Sequence, residues 1–441
     1  MNFVKAGCWP LFLGLSGLLQ AATSLPLMAQ RPGSFQSADR TVDAGEFGRK
    51  VELMLEETGV PALSIAVIDS DKIVFSNVYG LKDERRHRKA NRRTVFEGAS
   101  LTKIFLVYIV NKLVDEKRFD LDKPMYQYLP HEGLEHDPRY KKITPRMILC
   151  HSSGIENWKN EHDPNVLEIL HDPGTQFEYS GEGFQYLARV IEHVLDEPYQ
   201  KYIDEMVIKP FHLKRTFMTY RRKPLNPFGR GVAGNYALGY DDHGDEVHKW
   251  KNFEPVPASG VHTTADALAR LMLAIFTGNH LSAARIDSLC VPQIDKPDYG
   301  QKAGPGFWLA FSPTDSVLFF GGVNTGFRSF MFYSIRYKRG FVFQSNSEAG
   351  WEMILELNRL TARVGIDHLF PGVLFLEYPS MYLSLQHSFR VDPPETFLKK
   401  VDSARAGGAV DAEQLNALAD WVRAKNKDLA ARISGGAGAK N

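Results

Sequence analysis

Two residues one helical turn apart, Ser100 and Lys103, have the side chains of a nucleophile and its base. In a helix, a spacing of three places both side chains on one face. A serine hydroxyl attacks a carbonyl group only when a neighbour takes its proton, and a lysine can do so when its ammonium form is destabilised. Burial and the positive end of a helix both lower the pKa of a lysine, and the first backbone N–H groups of a helix can bind an oxyanion. The pair therefore predicts acyl transfer through a covalent serine intermediate.

A Ser-x-x-Lys segment also fits a helix cap followed by a surface lysine, so its surroundings decide between the two interpretations. The segment occurs once in the 441 residues. The sequence from Leu101 to Val114 is apolar on nearly every face, which predicts a helix buried at the centre of the protein. A lysine inside such a helix favours the catalytic interpretation.

The overall composition excludes several classes of partner. Fifty-three basic and 52 acidic residues leave a net charge of +1, so nothing indicates binding to a nucleic acid or another charged polymer.

Residues 1–29 combine Lys5, an apolar stretch from Trp9 to Leu19 and small residues before Ala29. This is the layout of a cleaved signal peptide, and the stretch is short for a membrane anchor. The sequence predicts a periplasmic or secreted protein without stable membrane insertion.

Cleavage would leave two cysteines, Cys150 and Cys290. In an exported chain they could form a disulfide, but the sequence does not give their separation. Neither has a cysteine or histidine at metal-ligand spacing. An Asp/His-rich segment, residues 241–245, has the composition of a metal site, but it also fits the turn of a hairpin, which we favour.

The hydrophobic periodicity and composition of the rest of the chain divide it into four segments. They are a linker at residues 30–43, a catalytic domain at 44–368, a C-terminal helical extension at 369–433 and a disordered tail at 434–441. We predict a mixed α/β (α+β) fold with one antiparallel sheet, flanking helices and a helical insert. In the extension, two helical patterns around Gly407-Gly408 predict a hairpin, with Asp411 as a helix cap. Apolar residues at helical spacing predict a helix that ends at Gly59. The predicted strands of the sheet are Ala62–Asp69, Lys72–Tyr79, Phe307–Phe311, Val317–Phe320, Phe327–Tyr333 and Gly340–Gln344.

Several segments in order resemble the class C β-lactamases and the penicillin-binding-protein-like serine hydrolases. The resemblance covers roughly residues 45–365 and implies a β-lactamase/D,D-peptidase-like fold. It is carried by the segments 59–67, 96–103, 119–124, 143–154 and 257–266. The segment Phe96-Glu97-Gly98-Ala99-Ser100-Leu101-Thr102-Lys103 corresponds to the nucleophile motif of the family.

The resemblance implies roles for residues beyond this motif. The second motif of the family is Tyr-x-Asn, and here Tyr179 supplies the tyrosine, which would share a proton network with Ser100 and Lys103. The position of the asparagine is Gly181, which has no amide to hold Lys103 or bind a substrate amide.

The third motif, Lys or His followed by x-Gly on an inner strand, corresponds to Phe320-Gly321-Gly322-Val323-Asn324. The N–H of Val323 would be the second oxyanion donor, and the glycines would let a substrate lie along the strand. The first position of this motif is Phe320, so the chain has no cationic or titratable side chain there. A hydrogen bond to a charged group contributes about 1.5–3 kcal/mol, so its loss changes what the site can recognise.

These observations lead to an exported serine hydrolase that acts on a small acyl substrate, an ester in preference to a β-lactam. The resemblance implies no metal or organic cofactor, and the sequence leaves the oligomeric state open. One alternative is a D,D-peptidase or β-lactamase in which Arg328 holds the substrate carboxylate. Another is a catalytically inactive module that keeps the pocket for ligand binding.

Overall fold

A computed structural model describes residues 33–160, 163, 165–220, 235–277, 280–297, 301–312, 315–365, 385–386, 388–390 and 392–435. Its central element is an antiparallel sheet of nine strands among these residues. The strands of this sheet are β3 (Ala62–Asp69), β4 (Lys72–Asp83), β5 (Arg88–Lys89), β8 (Ile294–Asp295), β9 (Lys302–Ala303), β10 (Trp308–Ser312), β11 (Asp315–Asn324), β12 (Phe327–Ser334) and β13 (Arg339–Ser345). Their order across the sheet is β5-β4-β3-β13-β12-β11-β10-β9-β8. Two smaller sheets pair β1 (Ser34–Ser37) with β2 (Arg40–Asp43), and β6 (Phe96–Ala99) with β7 (Val261–Thr263).

The sheet joins segments that are distant in sequence. Strand β3 pairs with β13, with Ala66 opposite Val342, and all eight residues of β3 are buried. A strand that is buried on both faces needs cover on both sides, and helices supply it here. The mixed α/β fold with an antiparallel sheet and flanking helices is therefore confirmed.

Helices cover the two faces of the sheet. The main helices of the described residues are α1 (Ala44–Thr58), α2 (Lys103–Asp115), α3 (Pro145–Leu149), α4 (Gly181–Leu195), α5 (Tyr199–Ile203), α6 (Ala265–Phe276), α7 (Ala283–Leu289) and α8 (Ile354–Leu360). One core cluster contains α2, α4 and α6, and a second contains α1 and α8. Helix α1 ends where predicted, since Gly59 has a φ of +65°, a conformation that favours glycine.

The apolar segment that follows Ser100 forms the central helix α2. Its residues from Lys103 to Asn111 are all buried. A short 3₁₀ turn, Ser100–Thr102, precedes it. The prediction of a buried helix that begins at the Ser-x-x-Lys segment is confirmed.

The predicted linker is wrong for the part of it that the structure describes. Residues 34–43 form the hairpin of β1 and β2. The ring of Phe35 explains the order, because it stacks on Phe75 at 4.6 Å and meets Phe47 edge-on at 5.6 Å. The sequence did not indicate this order, because one aromatic residue in a polar segment does not predict a strand. The contacts that hold Phe35, with α1 and β4, are made by residues that are distant in sequence.

Within its described residues 392–435, the C-terminal extension forms three helices where the sequence predicted a hairpin of two: α9 (Pro394–Ala406), α10 (Ala412–Arg423) and α11 (Lys427–Gly435). The apolar residues of the predicted helix that follows Asp411 continue across both α10 and α11. The chain nevertheless turns at residues 424–426, where the Asn426 side chain accepts from Leu429 N at 3.0 Å. Asp411 caps α10 as predicted. Helix α11 also extends past the predicted boundary at residue 433.

The extension has its own apolar core and contacts the catalytic domain through polar and aromatic groups. The rings of Trp421 and His243 stack at 4.4 Å, and Trp421 Nε1 donates to Asp242 at 3.0 Å. Arg390 donates to the main-chain oxygen of Thr58 at 2.8 Å. The Asp/His-rich segment forms the predicted turn, since Asp241 Oδ1 accepts the N–H groups of residues 243 and 245.

The structure also addresses smaller predictions. Cys150 and Cys290 are not joined in a disulfide, and Cys150 is buried. None of the helices in the described ranges is long and apolar enough to span a membrane. The predicted signal peptide, residues 30–32 of the predicted linker and residues 436–441 of the predicted tail lie outside the described residues.

Candidate active site

The local backbone places Ser100 at the start of the central helix. Ala99, the last residue of β6, has a φ of +47°, and such strained conformations concentrate at functional sites. The Thr102 hydroxyl donates to Ala99 O at 2.5 Å and accepts from Val261 N at 3.0 Å. These bonds fasten the turn to β7, so Ser100 is held between a sheet and a helix with its side chain partly exposed.

Lys103 is fully buried beside Ser100. Its Nζ donates to Ala258 O at 2.8 Å and lies 3.5 Å from Ser100 Oγ. It is also 4.8 Å from the ring centre of Tyr179. Burial lowers the pKa of Lys103 to about 7, because the surroundings disfavour the charged form. Burial therefore favours the neutral amine of Lys103, the form that can accept a proton.

Tyr179 lies on the other side of the Ser100 hydroxyl and donates to it at 2.7 Å. Burial raises the pKa of Tyr179 above its ordinary value, so the phenol keeps its proton. The ring of His151 stacks on Tyr179 at 4.3 Å. His151 Nδ1 accepts from Ser180 N at 3.1 Å, and burial lowers the pKa of His151 well below its usual range. A neutral imidazole therefore supports the phenol ring without adding charge.

The strand that resembles the third motif passes directly against the Ser100 turn. A Cβ atom at Gly322 would lie 2.7 Å from Gly98 O and 3.2 Å from the Cβ of Ala99, and it would also collide with Ser329 Oγ. Only glycine allows this approach without a shift of the neighbours. The next residue on the strand is Val323, whose N–H was predicted to bind the oxyanion together with that of Ser100.

Aromatic rings occupy the two positions where the family has polar groups. Phe320 is buried, with its ring 4.9 Å from Trp308 and 6.3 Å from His151. At Gly181, a Cβ atom would lie 2.8 Å from a ring carbon of Trp158. Ser100, Lys103 and Tyr179 therefore lie together beside several aromatic rings.

Two of the predicted substrate-binding residues make contacts within the protein instead. Asn324 Nδ2 donates to Glu97 Oε2 at 2.8 Å. Arg328 donates to Asn324 O at 3.1 Å, lies 3.9 Å from the Glu348 carboxylate and packs beside the Trp351 ring. Arg328 thus belongs to the far side of strand β12, and the structure does not bring it to the Ser100 group.

Sequence reasoning missed several residues that complete the site. Buried Glu97 pairs with Lys249 and holds Asn324, which ties β6 to the end of β11. Glu97 lies within the segment 96–103, and an acidic residue there could have indicated a buried ion pair. Trp158 gave no signal, because a loop tryptophan has no distinctive pattern. Ala258 lies in the segment 257–266 that carries the resemblance, but a sequence does not show which side chain its main-chain oxygen will contact.

Comparison with known proteins identifies the family. A family model described as "Beta-lactamase" matches residues 47–365. The chain belongs to the beta-lactamase family. This is a family of serine hydrolases, and the match covers the whole sheet and every residue of the Ser100 site. The resemblance inferred from the ordered motifs is therefore confirmed.

Individual relatives of this beta-lactamase family member are distant. Protein flp of Staphylococcus aureus is 29% identical over 181 residues, which cover 38% of this chain and 36% of that protein. The chain thus matches about a third of the length of that relative. An octameric penicillin-binding protein homologue from Pyrococcus abyssi has a TM-score of 0.62, with 20% identity over 77% of this chain and 81% of that chain. EstCE1, a hydrolase with promiscuous acyltransferase activity, has a TM-score of 0.57, with 17% identity over 69% of this chain and 93% of that chain.

Proposed function

We propose that this member of the beta-lactamase family is an exported esterase that acts through an acyl-enzyme on Ser100. The observation that carries the proposal is the buried Lys103 amine, which has a lowered pKa and lies beside a hydroxyl that also accepts from Tyr179. A ligand-binding module has no need of such a lysine, whereas a serine nucleophile requires a base.

In the first step, Ser100 Oγ bonds to the ester carbonyl carbon and its proton passes to the neutral amine of Lys103. The distance of 3.5 Å between Nζ and Oγ is long for proton transfer, but such distances shorten when substrate binds. The N–H groups of Ser100 and Val323 stabilise the negative charge that develops on the carbonyl oxygen. A tetrahedral intermediate and a Lys103 ammonium result.

In the second step, the intermediate collapses and the bond to the alcohol breaks. Tyr179 gives its proton to the departing oxygen and is reprotonated from Lys103, which restores the neutral amine. Water then attacks the acyl-enzyme by the same route: its proton passes to Lys103, the Ser100 oxygen leaves with a proton from Tyr179, and Lys103 reprotonates Tyr179. The products are a carboxylic acid, an alcohol and the original enzyme.

The preference for an ester follows from the groups around this centre. Gly181 offers no amide and Phe320 no cation, so these two positions do not supply the groups with which the family recognises the amide and carboxylate of a β-lactam. Arg328 does not substitute for them, because its guanidinium is used by Asn324 O and Glu348. An ester also has a better leaving group than an amide.

Export rests on the N-terminal sequence alone: the basic residue, apolar stretch and small residues of positions 1–29 form the layout of a signal peptide. N-terminal sequencing of the protein recovered from culture medium or periplasm tests it. A new terminus near residue 30 supports export, and an intact Met1 terminus on protein found only in the cytoplasm contradicts it.

Steady-state kinetics on three substrates test the proposed activity. We expect kcat/KM for a p-nitrophenyl ester to exceed the values for nitrocefin and a D-alanyl-D-alanine peptide by at least about 100-fold, the effect of the two missing polar contacts taken together. The matched control is the Ser100→Ala protein, which should turn over none of the three. Efficient turnover of nitrocefin or the peptide with little ester cleavage would contradict the ester preference.

A further inference from the structure

Trp158 occupies the space into which a side chain at position 181 would extend. A Cβ atom at Gly181 would lie 2.8 and 2.9 Å from two carbons of the Trp158 six-membered ring. Any larger side chain at position 181 would therefore collide with the indole. The indole is 46% exposed, which is unusual for so large an apolar group and leaves much of its surface available to a ligand.

The loop that carries Trp158 is fastened to the first turn of α4. Asn157 O accepts from Gly181 N and from Glu182 N, each at 3.0 Å, and Asn157 Oδ1 also accepts from Gly181 N at 2.9 Å. Ser180 Oγ donates to Glu156 O at 2.9 Å. These contacts satisfy N–H groups that a helix start leaves unpaired. The backbone at Trp158 is thus held beside the segment that presents Tyr179.

Other aromatic rings lie near the Ser100 group, and the Nζ of buried Lys296 lies 4.3 Å from the ring centre of Trp308. Trp308 lies 6.4 Å from Tyr179 and 4.9 Å from Phe320, measured between ring centres. Aromatic faces recognise apolar groups through buried area and offer an amide no hydrogen-bond partner. The replacement at Gly181 therefore exchanges a polar contact for an apolar one at the same place.

We propose that Trp158 is a specificity-determining residue, whose indole forms the wall of a pocket for an apolar acyl group of four or more carbons. The inference rests on the proposed ester-cleaving function of Ser100 and names the class of its substrates. The indole excludes a side chain at position 181 and contacts the acyl chain directly. Trp158 takes no part in bond breaking.

The test compares p-nitrophenyl octanoate with p-nitrophenyl acetate. We expect the wild-type protein to prefer octanoate, and Trp158→Ala to lower the octanoate-to-acetate ratio of kcat/KM by about tenfold, the effect of losing one well-placed apolar contact. The loss should appear mainly in KM for octanoate. Trp158→Phe should restore most of the ratio. Tyr337→Ala is the matched control, because Tyr337 is a similarly exposed aromatic at the turn between β12 and β13 and should leave the ratio unchanged.

A second measurement does not depend on activity. Gly181→Asn should lower the melting temperature in the wild-type background, because the new Cβ meets the indole, and the same change should be tolerated better in Trp158→Ala. Additive effects of the two changes would contradict the contact.

The outcomes separate this inference from the proposed function. Ser100-dependent ester cleavage with an octanoate-to-acetate ratio that Trp158→Ala does not alter overturns the role of Trp158 alone. Absence of Ser100-dependent cleavage of every ester overturns the proposed function, and the acyl pocket with it.

Discussion

Replacing Lys103 with Arg should lower kcat/KM for the preferred ester by about 10⁴-fold, at the upper end of what general base catalysis contributes. Arginine keeps a positive charge at every relevant pH, so it cannot take the proton from Ser100. Its larger head also has to fit where Lys103 Nζ contacts Ala258 O at 2.8 Å. Steady-state ester hydrolysis measures the loss, and the melting temperature shows whether the variant folds.

Lys112→Arg is the matched control, since Lys112 lies on the same helix and forms a partly exposed ion pair with Glu116 at 3.3 Å. Such pairs contribute little to stability, and the variant should keep wild-type activity. A folded Lys103→Arg protein with activity within tenfold of the wild type would contradict the assignment of Lys103 as the base.

The same assignment fixes the pH dependence. Burial lowers the pKa of Lys103 to about 7, and only the neutral amine accepts a proton. Below that pKa, kcat/KM should therefore rise about tenfold per pH unit and level off above it. A profile that falls as the pH rises through 7 would require the ammonium form and would contradict the mechanism.

Replacing Tyr179 with Phe should lower kcat by about 10²- to 10³-fold with a smaller effect on KM. The change removes the O–H that donates to Ser100 Oγ at 2.7 Å and the proton that the leaving group receives. General acid catalysis typically contributes 10²–10⁴-fold. The ring, and with it the stacking on His151, remains.

The leaving group provides a sharper readout for Tyr179. A good leaving group such as p-nitrophenolate needs little protonation, so Tyr179→Phe should impair hydrolysis of an alkyl ester more than that of a p-nitrophenyl ester. Tyr186→Phe is the matched control, because it removes another buried hydroxyl, which donates to Leu129 O at 2.6 Å, outside the Ser100 group. Equal losses for both esters would contradict the role of Tyr179 as the acid.

The parts of the fold that follow from local patterns were predicted well from the sequence. Helix α1 has apolar residues at helical spacing and a terminal Gly59, and β3 has the exact bounds predicted from its β-branched run. The buried helix after Ser100 was evident because its apolar residues cover every face. In each case the signal lies within about fifteen residues of the element itself.

The failures involve contacts between distant segments. Residues 34–43 resemble a linker until Phe35 is seen against Phe47 and Phe75. The break between α10 and α11 interrupts an apolar stripe that continues on both sides of it. At the site, Arg328 was a plausible carboxylate ligand by its place in the motif, but its side chain turns to Glu348. Sequence order did not give the direction of that side chain.

The arrangement around Ser100 combines both kinds of information. The proposed nucleophile and base, Ser100 and Lys103, are close in sequence, whereas Tyr179, Gly322 and Trp158 come from three other parts of the chain. The ordered motifs indicated the first two of these. Trp158 became visible only when the space beside Gly181 was found to be filled.

The most direct test of the account is intact-mass analysis after treatment with a fluorophosphonate probe, followed by peptide mapping. The account predicts one adduct per chain, located on Ser100, with labelling that is absent in Ser100→Ala and strongly slowed in Lys103→Arg. The Ser100→Ala protein should keep the wild-type melting temperature, so that loss of labelling reflects the hydroxyl alone. A folded wild-type protein that never labels, or an adduct that persists in Ser100→Ala, would contradict the claim that Ser100 is an activated nucleophile.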